Sequence, residues 1–155
     1  MKESSAGREP LASVLAEELP ITRLLGIQVR DVTKDRIVLG LPLAANRNHK
    51  RTVFAGSLNA VATLAGWGAL WQGLYEAGVT AHVVIQDGTT RYLMPAGTDV
   101  TAVCDRPSTA AMDHALAMLR RRGRTRMTLD VVVHDTAGTV VATLHARYVL
   151  HRREG

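Results

Sequence analysis

The sequence predicts one α+β domain in which a curved antiparallel sheet wraps a long central helix. Three observations carry this. The stretch from Leu58 to Tyr75 is apolar on nearly every side, which a helix tolerates only when other elements surround it. Segments with a period of two stand on both sides of it, two before and four after. A shorter helical pattern is inserted among the later four.

Taken in order, residues 1–8 read as a loose tail. Pro10 to Leu19 places Leu11, Val14, Leu15 and Leu19 at helical spacing, and Pro20 stops the run. From Ile27 the period becomes two: Ile27 and Val29, then Ile37, Leu39, Leu41 and Leu43, with Thr33-Lys34-Asp35 as the turn of a hairpin. Residues 44–55 form a polar loop. Ser57 is expected to cap the central helix that follows, and Gly78 to end it in a left-handed conformation. The later strands are expected at 82–93, 98–105, 124–134 and 140–150. Ser108 to Arg122 is the inserted helix, with Gly123 after it and Arg120, Arg121 and Arg122 in its last turn, where the macrodipole favours cations. Residues 1–18 are thus a tail and short helix, and 19–151 a single domain.

The bulk numbers fit. A chain of 155 residues is the usual size of one domain, and 46% hydrophobic against 21% charged residues is a globular balance. Aromatics are only 4%, so the core is expected to be Ala, Val and Leu. The lone cysteine, Cys104, rules out an internal disulfide and any site needing several thiolates; alternating with Val100 and Ala102, it reads as a buried structural thiol. The other histidines show no metal spacing, so no metal is expected. Residues 1–10 are polar and mixed in charge, unlike a secretory leader, and the expected location is cytoplasmic. Leu58 to Tyr75 is long enough to consider as a membrane span, but Asn59, Thr63, Gln72 and three glycines within it favour a buried helix. A net charge of +5, from sixteen arginines and three lysines, could serve nucleic acid, an anionic surface or a phosphate-bearing small molecule. No aromatic-basic motif accompanies it, so neither nucleic acid nor membrane is the expected partner.

The run Asn46-Arg47-Asn48-His49-Lys50-Arg51-Thr52-Val53-Phe54-Ala55-Gly56-Ser57-Leu58, the block Ala62-Thr63-Leu64-Ala65-Gly66-Trp67-Gly68, and Ile85-Gln86-Asp87 leading to Arg91-Tyr92-Leu93 and Pro95 together resemble the YiiD C-terminal-type thioesterase family. The resemblance covers about residues 19–150. It implies the hotdog fold and hydrolysis of an acyl thioester, carried by coenzyme A or the phosphopantetheine of an acyl carrier protein, with no other cofactor. It also implies a homodimer, or a tetramer built from it, in which the Asp87 strand pairs with its copy. Many hotdog thioesterases hold an acid inside the central helix. Thr63 stands there instead, and a hydroxyl is no carboxylate base.

Hydrolysis needs an oxyanion site, an activated water and a grip on the carrier. The backbone amides of Gly56 and Ser57, opening the helix, suit the first. Asp87, interrupting an apolar strand, is the candidate base, against the alternative of an arginine salt bridge or an exposed bulge. His49 is a candidate proton shuttle; Asn48 and Thr63 are candidates to position carbonyl or water. Asn46, Arg47, Lys50, Arg51, Phe54, Asn59 and Trp67 are expected to line or grip the substrate. A hotdog dehydratase, another acyl-processing enzyme, or a non-catalytic acyl-thioester binder uses similar residues.

Overall fold

The computed structural model describes residues 7–153. The chain runs α1 (Glu9–Glu18), α2 (Ile21–Leu25), β1 (Gln28–Val32), β2 (Arg36–Leu41), α3 (Ala55–Glu76), β3 (Ala81–Tyr92), β4 (Val100–Asp105), α4 (Thr109–Arg122), β5 (Arg124–Asp135) and β6 (Val140–Arg152). The six strands form one antiparallel sheet in the order β1-β2-β4-β5-β6-β3, with β1 and β3 at its edges. This is the hotdog fold that the family resemblance implied.

Helix α3 lies against β2 through β6. Its residues Leu58, Val61, Ala62, Ala65, Ala69 and Leu70 are buried against Ile37, Leu39, Ala102, Val131 and Leu144 in one continuous core. Burying each such branched side chain contributes about 1.5–3 kcal/mol, which is why a helix with no polar face is stable here. α4 closes one side: Ser108 caps it by accepting from the Ala111 amide at 3.1 Å, and Met112 packs over Gly73. Among the described residues no helix is long and apolar enough to cross a membrane.

The glycines of α3 mark close approaches. A Cβ at Gly66 would run into the Tyr148 hydroxyl and ring. Glycine in a helix interior costs about 0.5–1 kcal/mol relative to alanine, and here it lets the fully buried Tyr148 of β6 reach the Thr63 carbonyl, to which its hydroxyl donates at 2.7 Å.

The structure departs from the sequence reading in two places. α2 was not expected; its five residues are too few to show a period, and it ends in left-handed Gly26 (φ 71°). The long helix begins at Ala55, with Phe54 as its N-cap residue, so Ser57 sits inside the first turn and is not the cap. One stripe of α3 is left uncovered by the sheet: Gly56, Asn59, Thr63, Trp67, Trp71 and Tyr75, at spacings of three and four, are all exposed or half-buried. The last three rings stack along it, with centroids 6.3 and 4.9 Å apart.

Gly66→Ala is expected to destabilise the fold by about 1–3 kcal/mol through overpacking, read as a lower urea midpoint; an unchanged midpoint would mean that Tyr148 moves aside freely. Burial pushes the Cys104 thiol up from 9.0 to about 12 and raises the Tyr148 phenol as well. Both pKa values are higher folded than unfolded, so stability is whole below pH 9 and falls as pH climbs through the folded values. Urea midpoints measured from pH 8 to 11 should therefore decline above pH 9, less steeply in Cys104→Ala.

Candidate active site at the start of the central helix

The polar loop before α3 is organised by its two asparagines. Asn46, 3% exposed, donates from Nδ2 to the carbonyls of Leu25 and Pro42, both at 2.8 Å, while its backbone carbonyl accepts from the Phe54 amide at 2.7 Å. Asn48 holds the turn through Thr52. Its Oδ1 accepts from the Lys50 and Thr52 amides at 2.9 and 3.1 Å, and its Nδ2 donates to Thr52 Oγ1 at 2.9 Å. Arg51 takes a positive φ of 61° to close that turn. Both asparagines therefore hold the loop: Asn46 uses both of its amide protons there, and Asn48 uses its Oδ1 and one of its two amide protons. His49 stands exposed at the turn, flanked by exposed Arg47, Lys50 and Arg51.

The loop delivers the chain to α3 with Phe54 extended (φ −59°, ψ 135°). The Phe54 carbonyl then accepts from Ser57 at 3.0 Å and Leu58 at 3.1 Å. This moves the free amides one residue earlier than expected. Ser57 is buried with its N–H engaged; Ala55 and Gly56 have no hydrogen-bond acceptor among the described residues and are exposed. Such first-turn amides carry the positive end of the helix dipole. The Phe54 ring folds over Gly56, where a Cβ would collide with it. A cleft of about 300 Å³ opens here, lined by Asn48, Thr52, Ala55, Leu58, Tyr92 and Met94 among others.

One turn on, Asn59 Oδ1 accepts from the Thr90 hydroxyl at 2.6 Å, tying α3 to β3 and leaving the Asn59 amide N–H groups free. Thr63 follows on the same stripe, half-buried. Trp67 Nε1 donates to the Val83 carbonyl of β3 at 2.9 Å, so this ring walls the stripe. Thr90 was missed because a threonine in a strand carries no signal by itself; only its facing Asn59 gives it meaning.

Asp87 lies elsewhere. A bulge between Ile85 and Asp87 sets it opposite Arg147, with which it forms an ion pair at 3.6 Å. Arg147 also donates from Nε to Gln86 Oε1 at 3.0 Å. Its neighbours in sequence, Ala146 and Tyr148, are buried toward α3, so the pair lies on the opposite, outer face of the sheet. With a side chain 68% exposed, Asp87 faces away from the Ala55 and Gly56 amides of its own chain. Its setting in one chain is the arginine ion pair at an exposed bulge that the sequence offered as the alternative to a base.

Sheet and central helix define a hotdog protein. The chain belongs to the family described as "Putative thioesterase (yiiD_Cterm)", whose model matches residues 8–152. Solved structures agree on the fold. A thioesterase-designated protein from Shewanella oneidensis is 25% identical, with a TM-score of 0.85 over 97% of this chain and 100% of the other. A protein of unknown function from Chlorobaculum tepidum is 23% identical, with a TM-score of 0.89 over 94% of both chains. A third, from Pseudomonas aeruginosa and named a probable thioesterase, is 23% identical, with a TM-score of 0.81 over 94% of this chain and 95% of that one.

Asn48→Ala removes three side-chain hydrogen bonds from a partly exposed turn and is expected to cost about 1–2 kcal/mol. Chemical denaturation checks it; a variant as stable as the parent would show that the backbone alone holds the turn.

Proposed function

We propose that the protein hydrolyses an acyl thioester of coenzyme A or of an acyl carrier protein at the uncovered start of α3. The observation that supports this most is the pair of unengaged amides of Ala55 and Gly56 at a helix N-terminus, where Ala55 lines a cleft. In this reading they hold the carbonyl oxygen as it gains charge. The Asn59 amide and Thr63 hydroxyl, next along the stripe, hold the attacking water. His49 is the single imidazole on a loop that has no carboxylate between residues 44 and 54, and it takes the water's proton. Hydroxide adds to the carbonyl carbon, the tetrahedral oxyanion rests on the two amides, and collapse expels the thiolate, which recovers the proton. Arg47, Lys50 and Arg51 attract the anionic carrier.

The acting species is a homodimer. β3 is a twelve-residue edge strand with Val84, Ile85 and Tyr92 41–52% exposed, a long edge with apolar side chains of the sort that proteins cover. A second copy along it also encloses the Trp67–Trp71–Tyr75 wall, giving the acyl group a dry face.

The test is thiol release from a panel of short, medium, long and aryl acyl-CoAs. Ala55→Pro deletes one amide at the helix position where proline is best tolerated, after a residue whose extended backbone suits it. Turnover is expected to fall about 100-fold or more with the fold intact, while Asp87→Asn stays within about twofold because Asp87 faces away from the amides of its own chain. Full activity in Ala55→Pro would sink the oxyanion assignment. Loss in Asp87→Asn would return that carboxylate to the chemistry. Tight binding with no release would favour a dehydratase or an acyl-thioester binder.

A further inference from the structure

We propose a second site on the outer face of the sheet: a basic groove that binds the paired phosphates of a nucleotide-type small molecule. Three stretches distant in sequence meet there, the middle of β3, the junction of α4 with β5, and the end of β6. Together they line a groove of about 730 Å³. Arg122, Arg124, His151, Arg152 and Arg153 supply its walls, and Val84 and Val149 part of its floor; no carboxylate lines it among the described residues.

The arginines are placed by the fold. Gly123, left-handed at φ 72°, turns the chain sharply from α4 into β5, so that Arg122 and Arg124 flank the corner. The Arg152 amide donates to the Gly123 carbonyl at 3.0 Å, and Arg152 Nη2 to the Arg120 carbonyl at 3.3 Å, docking the end of β6 against the same corner. Arg153 leans toward Glu18 at 3.9 Å. Arg122 and Arg124 have no acidic partner within 4.0 Å among the described residues. Collecting like charges at one spot is costly unless an anion joins them, and guanidinium forks match phosphate oxygens two at a time.

The shape selects a small ligand. The basic groups converge on a concavity at one corner of the sheet, whereas a macromolecule needs about 800 Å² of its partner's surface. Farther along this face the charges alternate, with Asp130 bonded to His145 at 2.7 Å and Asp87 paired with Arg147. No Phe, Tyr or Trp lines the groove, as stacking on a nucleic-acid strand would call for. The apolar floor suits a ribose or base edge beside the phosphates. Such a ligand has two sources, a free nucleotide or the nucleotide end of coenzyme A; only the second rests on the thioesterase reading.

The experiment is equilibrium binding of ADP, coenzyme A and adenosine to the full chain and to Arg122→Gln/Arg124→Gln, with thermal unfolding as a check on folding. ADP and coenzyme A should bind and adenosine should not, and the double variant should lose about tenfold or more for both, a shift of 1.4 kcal/mol per decade. Equal affinity for ADP and coenzyme A identifies a free nucleotide; a clear preference for coenzyme A identifies the carrier. Should no acyl-CoA be hydrolysed while this pattern holds, the groove stands and the thioesterase reading falls. Affinities unchanged in the double variant, no binding of either phosphate compound, or binding confined to an oligonucleotide overturns the proposal.

Discussion

Helix α3 has no polar side to offer to water along most of its length, and everything else in the molecule answers that. A flat sheet covers one face of a helix; covering most of the circumference takes a sheet that curves, with a second helix closing the flank. The close approach of β6 is possible because Gly66 has no side chain, so that Tyr148 reaches under the helix to its backbone. What remains uncovered is one narrow stripe, and it is there that the unengaged amides, Asn59 and Thr63 are found. The site is thus placed by what the core leaves out.

Much of this was legible in the residues. Strands β4, β5 and β6 alternate so regularly that their inner faces could be named one by one: Leu129, Val131 and Val133 are buried while Asp130 is exposed. The start of α3 was misread by three residues because a serine resembles a cap, while Phe54 serves through an extended backbone that no side chain announces. The setting of Asp87 was hidden for a related reason. Strand periodicity tells which residues share a face only while the register is kept, and the bulge between Ile85 and Asp87 breaks it. Along β3 burial does not alternate, so the pattern had no power to choose.

Hydrogen-bond saturation was equally hidden. Asn48 looked like a group with donors to spare, and the fold uses one of them on Thr52. Asn46 does the same for Leu25 and Pro42. The basic groove could not have been read from spacing at all. Arg120–Arg122 and Arg152–Arg153 are separate clusters in sequence, and only the docking of the last strand on the Gly123 turn makes them one. Outer and inner faces of the same sheet therefore carry different chemistry, an apolar core on one and charged groups on the other, gathered as cations at one corner.

The bond from Trp67 to Val83 has a consequence for self-association. It engages a main-chain acceptor near one end of the exposed edge with a side chain from the helix beneath, so an incoming strand finds that rung of the ladder already in use. In the proposed dimer, pairing along β3 begins beyond that rung. An edge with one rung taken offers fewer registers to a second strand than a fully open one.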